Sequence, residues 1–348
     1  MAKSDLFHFL TLLLLFLLVQ GCDRNSAEAS LQNYNKRLAK VLDVSPSPKP
    51  DTDIPVFAAP RDLILPISDI RIGLLDAYEL RKCGLFQLIA ERNSILGKVR
   101  DRTRQFHYEL LFMDGLEHCI DTLPIDSGLL PDLKQFHQLK RQQLSVYFWN
   151  MLTAGEEWRK QLAIYYRTFS LNNFPGLIEN QEAIHYLQTI HHMIQAQETV
   201  PPKQAERLLF HQQQIHPYRY FGQLVYSMAR TRDWLEATIK LLEANEHNIH
   251  CGPNRNQQKA EFLSNVFFRF FVTDIQPYLA DLDSQYRQIQ KPLQEVLQPP
   301  SVISDEFSVY YQNYVAGELF DSFRQATLAH VEFWQRTFER CGIKLGIQ

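Results

Sequence analysis

Apolar side chains recur at steps of three and four residues along most of the chain from Ile70 onward, and this period predicts α-helices. The clearest register alternates steps of four and three over seven positions, which is typical of a seam that faces another helix. These positions are Leu144, Phe148, Met151, Gly155, Trp158, Leu162 and Tyr165. We therefore expect one long helix here, broken off at Pro175-Gly176.

Proline and glycine divide the rest of this pattern into further helices. In chain order they are Leu74 to Ile89, Phe106 to Ile120, Ala183 to Gln197, residues 203–245 with an interruption at Pro217, Leu263 to Tyr286 with a kink near Pro277, and Phe320 to Phe338. On the last of these, Thr327 is the one polar member of the apolar face, and Gly342 is a fitting C-terminal cap. No run alternates as a strand does, so the predicted fold class is all-α, a bundle of long antiparallel helices.

An apolar run, Leu6 to Val19, follows Lys3 near the amino terminus and precedes Gly21 and Cys22. This order is that of a secretory signal, and the run is shorter than the ~20 residues of a membrane-crossing helix. The string Val19-Gln20-Gly21-Cys22 resembles a bacterial lipoprotein processing site, in which the cysteine is lipidated and the chain is cut before it. An ordinary cleaved secretory signal is the alternative.

The segment after Cys22 predicts a tether, a helix and a proline-rich stretch. Leu31, Tyr34, Leu38 and Val41 follow a helical period. Pro46, Pro48, Pro50, Pro55, Pro60 and Pro66 should hold the following chain extended, as a spacer or as a strap across the body. The apolar run Val56 to Ala59 favours the strap. We divide the chain into a signal peptide (1–21), the tether, helix and strap (22–67), and one helical domain (68–348).

Composition indicates a globular protein with a core rich in aromatic rings. Of 348 residues, 45% are hydrophobic and 12% are aromatic, which excludes a disordered chain. The formal net charge is −3 and no basic tract occurs, so a nucleic-acid partner is not expected.

Four cysteines remain after Cys22: Cys83, Cys119, Cys251 and Cys341, and an even number allows three pairings. Chain order and helix placement favour Cys83 with Cys119 and Cys251 with Cys341. Four buried thiols are the alternative. No C-x-x-C motif supports a redox role.

Two groups of histidines are candidate metal ligands. The first group is His185, His191 and His192 on one helix. His185 and His192 are seven residues apart, ~10 Å along the axis, which is too far for them to bind one ion. His247, His250 and Cys251 are better spaced, but a helix end with a bridged cysteine explains them equally. We expect no metal and no cofactor.

Polar clusters give no catalytic residues. Glu91, Arg92 and Asn93 form either a polar interaction site or an ion pair with an asparagine at a helix exit. The acid pairs Glu156-Glu157 and Asp281 with Asp283 lie on single helices, whereas glycoside hydrolysis needs carboxylates that face each other across a cleft. No nucleophile elbow, zinc-protease, P-loop or dinucleotide motif occurs, so an enzyme is not supported.

Several motifs together resemble a family of uncharacterised Gram-negative envelope lipoproteins. They are Cys83 to Ser94, Leu96 to Val99, Tyr108-Glu109-Leu110, Cys119-Ile120, Cys251-Gly252, Lys259 to Leu263 and Gln276 to Leu279. The resemblance spans most of the mature chain. It implies a lipid anchor and supplies no activity.

We therefore expect a lipid-anchored envelope scaffold or adaptor that faces the periplasm and presents a groove between long helices to an envelope protein or polymer. A small-molecule or lipid-binding module is the alternative, and a hydrolase ranks third. An apolar cavity of several hundred Å³ would favour the binding module. Asp23 after the cysteine favours the inner over the outer membrane.

Overall fold

The computed structural model describes residues 26–68, 78–93, 101–252, 256–301 and 303–344. Within these ranges the regular elements are helices and helical turns, apart from two isolated β-bridges at Ser26, Ser170 and Asn173. The predicted all-α class is confirmed.

The α-helices, in chain order, are α1 (Ala27–Leu42), α2 (Pro60–Leu63), α3 (Leu85–Asn93), α4 (Arg102–Thr122), α5 (Leu130–Ala154), α6 (Glu156–Leu162), α7 (Leu177–Gln195), α8 (Pro202–Ile215), α9 (Tyr220–Ala244), α10 (Gln258–Val266), α11 (Gln276–Val296), α12 (Asp305–Tyr310) and α13 (Glu318–Cys341). Short 3₁₀ turns cover Leu80–Cys83 and Glu246–Asn248, and π-helical segments cover Phe267–Ile275 and Tyr311–Ala316.

Helix α9 lies at the centre of the main core. It contacts α1, α6, α7, α11 and α13, and fifteen of its residues are buried, among them Trp234 and Arg230. Helices α4 and α5 form an antiparallel pair that contacts α6, α7 and α8. A second, smaller core lies between this pair and the segment that holds Leu80 and Leu85. The apolar faces that the period of the sequence predicts are therefore the faces that the helices bury.

The long helix predicted through Gly155 is wrong at that residue. Gly155 has extended backbone angles, φ −71° and ψ 142°, so α5 ends at Ala154 and α6 starts afresh at Glu156. A side chain at Gly155 would overlap the carbonyl oxygen of Met151. The period continues across the break because Phe148 and Trp158 both face the core.

The helix predicted from Leu74 to Ile89 is also interrupted. Leu74 lies outside the described residues. The structure has a 3₁₀ turn, Leu80–Cys83, then Gly84 with φ +82°, and then α3. Gly84 permits this left-handed residue, which a side chain would disfavour.

The proline-rich segment lies across the helical body. Ile54, Phe57 and Ala58 are buried. Asn150 on α5 donates to the carbonyl oxygen of Leu65 (2.9 Å) and accepts from its amide nitrogen (2.8 Å). The expectation that this whole segment is extended is wrong at Pro60, which begins the single helical turn α2. The N–H that proline lacks would have no partner at this first helical position.

The kink expected near Pro277 is a change of helix type. Phe267–Ile275 is π-helical, and Pro277 lies in the first turn of α11. The two segments are continuous, since the Gln276 amide donates to the carbonyl oxygen of Phe271, and Pro277 removes one donor at the change of helix type. The other predicted interruption, at Pro217, is confirmed as the break between α8 and α9.

His330 is the buried centre of an aromatic cluster that joins α1, the first π-helical segment and α13. Its Nε2 accepts from Trp334 Nε1 (3.3 Å) and lies 3.1 Å from the hydroxyl of Tyr34. Its ring centroid is 4.2 Å from that of Phe271. Burial penalises the imidazolium cation and lowers the pKa of His330 to about 3. The folded protein therefore holds this ring neutral.

Gly222 is expected to be intolerant of any side chain. It lies on α9 against the backbone of Ala163, and an added Cβ would overlap the Ala163 carbonyl oxygen. We predict that Gly222→Ala lowers the free energy of unfolding by about 3 kcal/mol, since backbone must move to admit the methyl group. Gly128→Ala is the control, because that position has open space. Urea unfolding of both variants checks this, and equal stabilities would contradict the packing.

Stability should fall with acid through His330. An unfolded histidine has a pKa near 6.5, so below that pH the unfolded chain binds a proton that the folded chain refuses. This contribution is complete above pH ~6.5 and is lost by ~1.4 kcal/mol per pH unit as the pH falls towards the folded pKa. Urea midpoints measured between pH 7 and 4.5 should have a smaller slope in His330→Gln than in the wild type. An unchanged slope in His330→Gln would contradict a buried neutral ring.

Candidate functional site

A groove of about 380 Å³ lies between α11 and α13. The two helices run antiparallel, since Phe271 lies by His330 and Tyr286 lies by Phe320. The apolar lining residues are Phe271, Leu279, Ala280, Phe323, Leu328 and Val331, and the polar ones are Gln276, Asp283, Arg287, Arg324 and Thr327. The groove is therefore mainly apolar with charged groups confined to a few positions.

Helical spacing explains how α11 lines one wall. Gln276, Leu279, Ala280, Asp283 and Arg287 follow steps of three, one, three and four, so they share one face of the helix. At 1.5 Å per residue, this stripe is about 16 Å long. The wall therefore changes from apolar to charged along its length.

The charged end of the groove is an Asp283 carboxylate held by two arginines. Arg287 Nη2 lies 2.5 Å from Asp283 Oδ2, and Arg324 Nε lies 3.3 Å from Oδ1. The Asp283 side chain is only 20% exposed, whereas the two arginine side chains are 61% and 60% exposed. Two guanidinium groups and one carboxylate leave this end with one positive charge in excess.

The opposite end of the groove is formed by a π-helical segment. Phe271 belongs to Phe267–Ile275 and is buried against His330. Single-turn π insertions in helices occur frequently at functional sites. The change of helix type lies directly before Gln276, where the groove-lining stripe of α11 begins.

Small and short side chains keep the middle of the groove open. Ala280 on α11 is exposed and Thr327 on α13 is half-buried. The hydroxyl of Thr327 donates to the carbonyl oxygen of Phe323 (2.9 Å), so its methyl group is the part left for a ligand. Leu328 is 58% exposed, so its apolar side chain is accessible at the groove.

A family model described as protein of unknown function (DUF3080) matches residues 31–345. The chain belongs to this family. The match covers most of the sequence and confirms the resemblance to an uncharacterised family, while the lipid anchor and the Gram-negative origin stay predictions. No curated protein and no solved structure is similar enough to be matched.

The structure of the DUF3080 chain joins the cysteines as the sequence favoured. Cys83 is bonded to Cys119 and Cys251 to Cys341, with Cα–Cα distances of 5.1 and 4.8 Å. The first bond ties the 3₁₀ turn before α3 to α4, and the second ties the loop after α9 to the end of α13. Cys22 lies outside the described residues.

Glu91, Arg92 and Asn93 lie at the end of α3, away from the groove. Arg92 Nη1 is 3.8 Å from Glu109 Oε1, and its guanidinium lies 5.2 Å from the centre of the Tyr108 ring. Glu91 accepts from Gln87 (3.3 Å), and Asn93 is exposed. Arg92 thus pairs with Glu109 of α4, and a recognition role for the three residues stays a prediction.

Glu109 is a buried charge that the sequence reasoning missed. It is fully buried and receives Lys140 Nζ at 2.7 Å, and Lys140 also donates to the Tyr147 hydroxyl (3.3 Å). The pair joins α4 to α5. Its sequence signal is weak, since one acid on an amphipathic helix normally faces solvent.

The histidine groups do not converge on one point. His185 is exposed, His191 lies 5.4 Å from the Phe148 ring, and His192 Nε2 is 2.8 Å from Glu295 Oε2. Cys251 is in a disulfide, so His247 and His250 lack it as a thiolate partner. In the part of the chain that the structure describes, no three His, Cys, Asp or Glu side chains could hold one metal ion.

The carboxylates of the two acid pairs lie in different surroundings. Glu157 accepts from the Thr103 hydroxyl (3.0 Å), and Glu156 is exposed. Asp281 is exposed, whereas Asp283 faces the groove. Two signals in the sequence could have marked the groove: Asp283 four residues before Arg287, and Thr327 alone on an apolar face.

None of the helices in the described ranges is long and apolar enough to span a membrane.

Proposed function

We propose that this DUF3080 protein binds a small apolar or amphiphilic molecule in the groove between α11 and α13, and that it does so at the cell envelope, anchored by a lipid on Cys22. The observation that carries the binding role is the groove of about 380 Å³ with its apolar lining. Small-molecule sites have volumes of ~300–1,000 Å³ and combine apolar walls with a few polar groups.

The groove supports binding without chemical conversion. Among the described residues that line it, the acid is Asp283, and both of its oxygens are engaged by arginines. Among the described lining residues there is no histidine, cysteine or serine, and the hydroxyl of Thr327 donates to the carbonyl oxygen of Phe323. The groove therefore offers contacts and charge, which suffice for a carrier or sensor.

The scaffold or adaptor role that the sequence favoured stays a prediction. An adaptor requires an apolar surface that a partner covers. The groove fits the criterion for a small-molecule site better, because most of its wall is apolar and its charged groups lie at one end. We therefore place ligand binding first.

The envelope location is proposed on two grounds. One is the apolar run that ends at Cys22. The other is the pair of disulfides, since such bonds persist in oxidising compartments such as the bacterial periplasm. The family match is compatible with this location and says nothing further about it.

Ala280→Trp is predicted to block the groove. Ala280 is exposed within the lining, so an indole there would occupy the ligand volume without entering the core. We expect the neutral probe N-phenylnaphthylamine to bind the wild type with enhanced fluorescence and to bind Ala280→Trp about tenfold more weakly or not at all. Ala329→Trp is the matched control, because Ala329 is exposed on α13 and outside the groove lining. Equal binding by all three proteins, with equal melting temperatures, would contradict the proposed site.

Metabolic labelling tests the anchor. A palmitate analogue should label the wild type in cells and should not label Cys22→Ala, because the other four cysteines are joined in disulfides. The unlabelled variant should also leave the membrane fraction. Equal labelling of the two proteins would end the lipid claim and leave the groove proposal as it stands.

A further inference from the structure

We infer that the groove takes a fatty acid, a single acyl chain with a carboxylate head, and that Arg287 and Arg324 bind the head. This inference rests on the proposed function and specifies its ligand.

Charge complementarity selects an anionic head. The charged lining residues are Asp283, Arg287 and Arg324, so the excess is one positive charge. A carboxylate carries one negative charge and would balance it. A cationic or neutral head would leave the excess charge without a partner.

The arginines keep donors for a ligand. A guanidinium has five N–H donors in a fixed fork. Arg287 gives Asp283 its Nη2, with Nε 3.5 Å from the Asp283 backbone carbonyl oxygen, and Arg324 gives Asp283 its Nε. Arg324 also lies over the Phe320 ring at 5.7 Å. The remaining N–H groups lie on side chains that are about three-fifths exposed, so a second carboxylate could accept from them.

Asp283 positions these two groups. It is more covered than either arginine, and it holds one guanidinium from each wall of the groove. Because both are already held, little side-chain freedom is left to lose when a head group binds, which favours affinity. Asp283 is thus a positioning residue whose own charge is already neutralised.

The dimensions favour one chain. The wall from Gln276 to Arg287 is about 16 Å long, and the charged residues stand at one end of it. The volume of about 380 Å³ suits a single medium-length chain. Phe271, Leu279 and Val331 lie beyond the charged end, where the chain would contact them.

The test compares four ligands that have the same chain length and differ in their head group. Displacement of N-phenylnaphthylamine from the full-length protein is measured with dodecanoate, dodecyl phosphate and dodecyltrimethylammonium below their micellar concentrations, and with dodecanol below its solubility limit. We expect dodecanoate to bind about tenfold or more tightly than dodecanol and the cation. Dodecanoate should also bind more tightly than dodecyl phosphate, and its affinity should fall with added salt.

Variants assign the preference to the two arginines. Arg287→Gln with Arg324→Gln should lose about tenfold in dodecanoate affinity and keep dodecanol affinity, because the apolar wall is untouched. Arg336→Gln, an exposed arginine on α13 outside the groove, is the control and should bind as the wild type does. Ala280→Trp should lose both ligands. If the double variant fails to fold, the head-group series on the wild type decides alone.

Other outcomes separate the inference from the proposed function. Equal affinity for dodecanoate and dodecanol, or tighter binding of the phosphate, overturns the carboxylate head while the groove stays a binding site. Loss of probe binding in Ala280→Trp with no displacement by any chain overturns the fatty acid alone. Probe binding that is unaffected in Ala280→Trp overturns both.

Discussion

Two ring contacts set the distance between α11 and α13, and the site follows from that distance. At one end Phe271, just before α11, packs on His330 of α13 with centroids 4.2 Å apart. At the other end Tyr286 stacks on Phe320 at 4.6 Å. Large rings hold the helices together at these points. Between them Ala280 and Thr327 are too short to fill the space, so an open groove remains.

The first of these contacts depends on the buried neutral histidine. His330 is joined to Tyr34 of α1 and to Trp334 one turn further along α13. Phe267 packs on Trp334 in the same cluster, with centroids 4.8 Å apart. One polar ring thus ties the first helix of the body to the last. The π-helical segment brings Phe271 to it, which relates the change of helix type to the end of the groove.

The proline-rich strap is held by a buried charge on α9. Arg230 on α9 donates to the carbonyl oxygen of Pro50 (2.6 Å), to the Thr52 hydroxyl (2.5 Å) and to Glu28 (2.5 Å). Burial of Glu28 acts to raise its pKa, but the hydrogen bonds from Arg230 and Lys49 outweigh this effect and lower it. A buried charge with three partners fixes where the strap crosses, because the unpaired charge would be costly.

The sequence predicted the helices well because burial imposes a period, and it predicted their breaks less well. Phe148 and Trp158 kept the period through Gly155, so the break there was invisible. The π-helical segment near Phe271 follows from tertiary packing and has no local signal. The groove requires the relative position of α11 and α13, two helices separated by residues 297–317, which no single period contains. Asp283 and Thr327 stand out separately in the sequence, and only the fold brings them to one surface.

The most direct measurement is a crystal structure of the protein grown with dodecanoate. The account predicts density for one chain beside Ala280 and Thr327, with its carboxylate within hydrogen-bond distance of Arg287 or Arg324. Density at another place, or α11 and α13 closed against each other with Leu328 in the space between them, would contradict it.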